Sequence, residues 1–223
     1  MLKVLPSPRA YSLAETHAPI AHCGFHRYLD WPTKIELNSN PMGEIFESMN
    51  GFPVCYYWAR TDGRKYYYIG FALFHQADWA PFPANLLPGE THRFDLEGIL
   101  VRAPYYTPHS KPIRGIDVLT VHHHELKSFR IADDYRPEVS IEYGGHGIES
   151  YDPKAMVDVC LEVRKWTLIP FDPIMSNPKR REEIRQAFNN NGVHLPDQWG
   201  ANGAFVGWFW SKPDELFRVM GGK

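Results

Sequence analysis

An all-β sandwich with minor helices is the fold this sequence predicts, and three observations predict it. Aromatic residues are abundant, with 7 Trp, 12 Tyr and 13 Phe, and such side chains suit the pleated, half-buried surface of a strand. The 19 prolines and 17 glycines cut the chain into short pieces, as many short strands with frequent turns require. Between those breaks lie apolar runs of strand length, while sustained helical periodicity is rare. At 223 residues and 43% hydrophobic content, the chain can bury a substantial core as one domain spanning 1–223.

Taken in order, residues 1–50 show little periodicity. They read as a winding N-terminal cover with one short helix, carrying His17, His22 and His26, Trp31 and an apolar piece at 45–49. Asn50 and Gly51 signal a turn, and 52–59 then reads as a strand. Asp62 and Gly63 supply hairpin chemistry, because that pair accepts positive φ. The second arm, 65–74, ends in His75, Gln76, Ala77, Asp78 and Trp79, and polar residues at the end of a buried strand are candidates for a site. Strand 93–102 follows a proline-bearing loop, and 115–124 is a further strand in which His122 and His124 share one face. A run of three histidines is more often a half-exposed strand end than a metal site.

Residues 137–143 alternate as a strand and feed Gly144, Gly145, His146 and Gly147, glycines that leave the imidazole open to a ligand. In 152–166, Val157, Val159, Leu161 and Val163 alternate with polar residues, which favours strand over helix. A helix is expected at 178–190: Ser176 or Asn177 can cap it, Pro178 suits its first position, and Asn191 with Gly192 stops it. The tail, 199–210, reads as a glycine-rich turn and a closing aromatic strand.

The densest polar chemistry lies in 91–97, where His92, Asp95 and Glu97 precede an apolar run at 98–101. Side chains alternate along a strand, so Asp95 and Glu97 share a face. His92 has the opposite parity and joins them only if the chain turns or bulges before Phe94. Two adjacent carboxylates raise each other's pKa unless a cation or donor lies between them. A bound metal resolves that repulsion, whereas an open sheet face would simply leave the charges solvated.

Composition excludes some partners. A formal net charge of −2, from 24 basic and 26 acidic residues, gives no sequence-independent attraction to nucleic acid or anionic membrane. Cys23, Cys55 and Cys160 have neither metal-knuckle spacing nor the even count of a disulfide framework. The first residues are too soon broken by proline for a signal peptide, and no run is long enough for a membrane span. A cytoplasmic protein without stable membrane insertion is therefore expected.

Three pieces together resemble known families. The paired strands at 53–57 and 67–74 resemble those of the Vps62-like family. His92-x-x-Asp95-x-Glu97-Gly98 resembles that family's His-x-x-Asp-Trp-Glu motif, and also the Gly-His-Arg-His-Asp-Trp-Glu heptapeptide of the necrosis-inducing NLP-type cytolysins. The strand ending at His146 resembles the second histidine element of both groups, and Gln198-Trp199-Gly200 resembles a late Trp-Gly of Vps62-like domains. The resemblance covers residues 50–210. It implies a β-sandwich holding a divalent cation on His92, Asp95 and Glu97, with Asp78 in place of an upstream aspartate and His146 as the second histidine. The match departs at Thr91, Phe94 and Leu96, where the cytolysins have Gly, His and Trp. Those departures weigh against a secreted, membrane-damaging role.

The donor set leaves the metal open. Zn²⁺, Mn²⁺ or Fe²⁺ fits if two imidazoles ligate, and Ca²⁺ or Mg²⁺ if one does, so the choice turns on His146 and His75. With two imidazoles the expectation is a metalloenzyme acting on a small or medium organic substrate in an aromatic-lined pocket. Glu97 and His146 are then the catalytic candidates for hydrolysis or proton abstraction. The alternative is a non-enzymatic protein whose cation bridges to a carbohydrate or lipid headgroup. A third reading has the polar cluster merely fastening strands together.

Overall fold

A computed structural model describes residues 2–23, 32, 34–35, 46–47, 53–78, 92–105, 115–122, 125–132, 135–142, 147–154, 159–179, 210 and 212–220. In chain order the strands are β1 (Lys3–Val4), β2 (Ile20–Cys23), β3 (Lys34–Ile35), β4 (Phe46–Glu47), β5 (Val54–Thr61), β6 (Tyr66–Asp78) and β7 (His92–Pro104). They continue as β8 (Ile116–His122), β9 (Glu125–Ile131), β10 (Glu138–Ile141), β11 (Ile148–Ser150), β12 (Val159–Glu162) and β13 (Thr167–Pro170). The helices are α1 (Ser7–His17), α2 (Asp172–Met175) and α3 (Pro213–Met220). Among the described residues, the larger sheet runs β1-β5-β6-β7-β8-β9 with β13 also on β5, and the second runs β11-β10-β2-β12. The fold is mostly β with few short helices, as the composition predicts.

The β5–β6 hairpin forms at the expected turn. Asp62 Oδ1 accepts the backbone N–H groups of Arg64 (2.8 Å), Lys65 (2.8 Å) and Tyr66 (3.0 Å), and Gly63 takes a φ of +72°. Burial alone would raise the Asp62 carboxyl, but these N–H donors outweigh it and hold the group below its ordinary value.

Strand alternation assigns the faces of the larger sheet. Cys55, Tyr57, Ala59, Ile69, Phe71, Leu73, Ile99 and Val101 share one core with Ala21, Cys23, Val139, Ile141 and Ile148 of the second sheet and with Ala10 and Ala14 of α1. Each large apolar side chain buried there contributes about 1.5–3 kcal/mol. The opposite face is also covered. Tyr56, Phe74 and Phe171 pack ring against ring at 5.2–6.0 Å, and Tyr68 meets Phe217 of α3 at 6.1 Å. Burial on both faces explains why β5 reads as a continuous apolar run. It also explains Gly70: a Cβ there would fall 2.2 Å from the Trp58 indole, which lies across the glycine from the neighbouring strand.

The N-terminal segment, read as cover with a short helix, places its helix at Ser7–His17 and adds β2 between β10 and β12. Periodicity hid α1 because its buried residues are only Ala10 and Ala14. The apolar piece at 45–49 contains strand β4, paired with β3. The strand favoured within 152–166 is present as β12. Pro178 and Lys179 are helical, and Asn177 Oδ1 accepts the Lys179 N–H at 3.0 Å, as a cap does. The rest of 178–190 and residues 199–209 of the aromatic strand expected at 199–210 lie outside the described residues; Trp210, the last residue of that span, is helical and not extended. Strands β9 and β13 and helix α3 are additions the sequence pattern did not reveal.

Candidate functional site

The candidate residues lie where the core face of β6 and β7 gives way to polar positions. These 13-residue strands pair antiparallel over almost their full length. Phe71 opposes Ile99, both fully buried. The next same-face pairs are Leu73 with Glu97, His75 with Asp95, and Ala77 with Arg93. On alternate positions Phe74 opposes Leu96 and Asp78 opposes His92. The sequence candidates thus lie along one end of one ladder: Asp78 beside His92 and, three rungs away on the opposite parity, His75 beside Asp95 with Glu97 two residues along. The register stays constant from Tyr66 and Pro104 to Asp78 and His92. No residue is therefore inserted before Phe94, and the bulge that would carry His92 to the parity of Asp95 and Glu97 is absent from the ladder.

Of these residues, Glu97 is half-buried and His75 fully buried. A buried histidine on a core face beside carboxylate positions costs desolvation that apolar residues would avoid, and such groups concentrate at functional sites. Thr120 of β8 opposes Ile99 and is fully buried. Its Oγ1 has no hydrogen-bond partner among the described residues. Sequence pattern alone does not single out this hydroxyl, because a threonine within a strand is ordinary.

The side chains of Asp78, His92, Asp95 and His122 lie outside the described residues, as do His26, His123, His124 and His146 in full. The connection containing His146 is closed at its base, where Glu142 N–H donates to Gly147 O at 2.9 Å. Among the described residues, no three His, Cys, Asp or Glu side chains gather as a metal site. The donor chemistry of the ladder nevertheless fits a divalent ion, with carboxylate and imidazole residues on adjoining strands. Cys23 and Cys55 are buried and form no disulfide. Burial pushes the Cys55 thiol far above its ordinary range, which removes it as a nucleophile. Among the described residues, no helix is long and apolar enough to cross a membrane.

A second charged cluster lies on the opposite face of the larger sheet. The Arg60 guanidinium is buried and forks onto Asp172, with Nη1 to Oδ2 at 2.8 Å and Nη2 to Oδ1. Trp58 and Trp210 each lie within 5.1–5.5 Å of the guanidinium. Trp210 Nε1 also donates to Asp172 at 3.0 Å. This closed arrangement fastens the C-terminal segment over the sheet.

No protein-family model and no curated protein matches the chain. Among solved structures, it is similar to Necrosis and Ethylene inducing Protein 2 from the causal agent of cocoa's Witches Broom disease. The identity is 15%, over 98% of this chain and 92% of that one, with a TM-score of 0.48. It is also similar to NLPPya, solved in complex with glucosamine (15% identity, 82% and 83% coverage, TM-score 0.41), and to the non-toxic HaNLP3 protein (13%, 82% and 84%, 0.38). With TM-scores under 0.5, the fold and candidate site stand on the strands and registers of this chain, which has a structural similarity to NLP-type proteins at low sequence identity.

Proposed function

We propose that the chain is a non-enzymatic binding protein that uses a divalent cation to hold a carbohydrate or lipid headgroup. One observation carries the reading: the β6–β7 ladder sets Asp78 beside His92 and His75 beside Asp95, with Glu97 on the next same-face rung. Three of those five residues are carboxylates. An oxygen-rich set favours a hard cation such as Ca²⁺ or Mg²⁺, which keeps coordination positions for ligand hydroxyl or phosphate oxygens. Asp95 and Glu97, which share a face of β7, would hold the ion; Asp78 and His92, which the resemblance of His92-x-x-Asp95-x-Glu97 to the Vps62-like and NLP motifs adds to the set, have the opposite parity and would join them only if the ladder opens at that end. The ion would supply electrostatic attraction for those ligand oxygens. The metalloenzyme reading instead needs a second imidazole, from His75 or from His146, and His146 lies outside the described residues. One domain over 1–223 and a cytoplasmic location belong to the same proposal.

The test begins with metal-stripped protein titrated calorimetrically with Ca²⁺, Mg²⁺, Mn²⁺ and Zn²⁺. Binding of one equivalent is expected, weakened at least tenfold in Asp95→Asn and Glu97→Gln. Soluble glycans and vesicles carrying phosphoinositide or sphingolipid headgroups are then offered with and without the cation, which separates the two ligand sources. Absence of cation binding overturns the reading, as does ligand binding that is indifferent to a chelator.

A further inference from the structure

We propose a binding site for a tetrahedral oxyanion, a phosphate or sulfate group, at the C-terminal end of α1, where Arg136, Arg164 and His17 are brought together from three parts of the chain. The site is separate from the β6–β7 ladder and independent of the cation-binding reading. Two backbone hydrogen bonds around Pro19 assemble it. Ile20 N–H donates to Pro137 O at 2.8 Å, and Val163 N–H donates to Pro19 O at 3.0 Å. Those bonds hold the residues leading into β10, and the 3₁₀ turn Val163–Lys165, against the segment that leaves α1. Arg136 immediately precedes Pro137, Arg164 immediately follows Val163, and His17 is the last residue of α1.

One end of the Arg136 guanidinium is accounted for. Its Nη2 donates to Glu15 O at 3.3 Å, one of the carbonyls that a helix end leaves without an intrahelical donor, and a cation is favoured at that negative end. Nη1 is buried and has no hydrogen-bond partner among the described residues. A guanidinium keeps its charge and all its donors, so a buried nitrogen left bare points to a missing acceptor. The neighbouring carboxylates do not supply it. Glu162 commits Oε2 to Arg164 Nε at 2.5 Å and Oε1 to Lys165 Nζ at 2.7 Å, and Glu15 bonds Arg136 through its backbone oxygen alone. Like charges meet here: burial and then the Arg164 charge hold Arg136 below its ordinary pKa, and burial and then the Arg136 charge do the same to His17. An oxyanion relieves that repulsion, and guanidinium groups bind phosphate and sulfate through charge-assisted hydrogen bonds. Three donors arriving from separate backbone segments suit a tetrahedral group better than a planar carboxylate.

The experiment titrates the full chain with sodium sulfate at low ionic strength in the presence of a chelator, so that its outcome does not depend on a bound cation. Sulfate keeps its charge through the range in which a histidine titrates, and the His17 imidazole is followed by proton NMR. Saturable binding is expected to raise the His17 titration midpoint, because a nearby anion favours the charged ring. Arg136→Gln should weaken sulfate binding about tenfold or more. Arg164→Gln should weaken it roughly threefold or more, the smaller change because that side chain is 44% exposed. Should Arg136→Gln fail to fold, Arg164→Gln decides, since Arg164 lies at the surface and Lys165 still pairs with Glu162. Displacement of sulfate by inorganic phosphate alone assigns the site to a free ion, and displacement by glycerol phosphate as well assigns it to an esterified phosphate; both outcomes support it. Absence of saturable sulfate binding, a His17 midpoint that does not move, or an affinity unchanged in Arg164→Gln overturns the inference and leaves the cation-binding reading untouched.

Discussion

Asp172→Ala tests whether the Arg60 cluster holds the C-terminal segment onto the larger sheet. Arg60 is 6% exposed, donates from two nitrogens to Asp172, and lies against two tryptophan rings. Removing the carboxylate leaves a buried guanidinium without its counter-charge, which typically costs about 3–5 kcal/mol. The Asp172 side chain is 25% exposed, so water can enter and partly solvate the cation, reducing the loss to about 2–4 kcal/mol. For a chain of this size each kcal/mol moves Tm by about 2–4 °C, and a fall on the order of 10 °C is expected. Urea unfolding followed by tryptophan fluorescence measures both stability and the loosening around Trp58 and Trp210. Arg60→Met with Asp172→Leu removes both charges and should be less destabilised than Asp172→Ala alone. A single variant within about 0.5 kcal/mol of wild type, or a double variant worse than the two singles combined, would refute the assignment of stability to this pair.

Gly70→Ala forces a methyl group toward the Trp58 indole at 2.2–2.5 Å, and calorimetry should show a loss of about 1–3 kcal/mol or more. Tyr68 is pushed up to about 12, chiefly by burial, against an ordinary value of about 10. Because the folded pKa is the higher one, the stabilisation is complete below pH 10 and is lost as pH rises toward 12; Tyr68→Phe should flatten that part of the unfolding midpoint against pH. Asp62 has the reverse sign. Its folded pKa is lowered, so its contribution is present above the ordinary carboxylate pKa and disappears as pH falls through the folded one, a slope that Asp62→Ala should abolish in acid unfolding curves. Cys55, fully buried with its thiol pKa raised by burial, should react with a thiol reagent only at the rate of unfolding, and rapid labelling in the native protein would contradict its placement.

How much of this is legible in the sequence depends on whether the signal is local. β5, β6 and β7 carry long aromatic and β-branched runs interrupted by a turn whose chemistry is written in Asp62 and Gly63, so their existence follows from neighbouring residues. α1 does not, because two alanines supply its buried stripe. Helix α3, at Pro213–Met220, lies beyond the tail read as a closing strand at 199–210, in residues to which the sequence pattern assigns no element. For the candidate site, parity separates His92 from Asp95 and Glu97 on inspection, but the partner of Asp95 across the sheet is a matter of register, which no local pattern states. That register is set by burial. Phe71, Leu73, Ile99 and Val101 must all enter the core, and a one-residue slip of β6 against β7 would turn one strand's apolar set out of it. A slip would also set His75 opposite Phe94 or Leu96 instead of Asp95. The core pattern, far more than the polar motif, therefore determines which histidine stands beside the carboxylates, and that is why reading the motif alone leads to His92 and reading the ladder leads to His75.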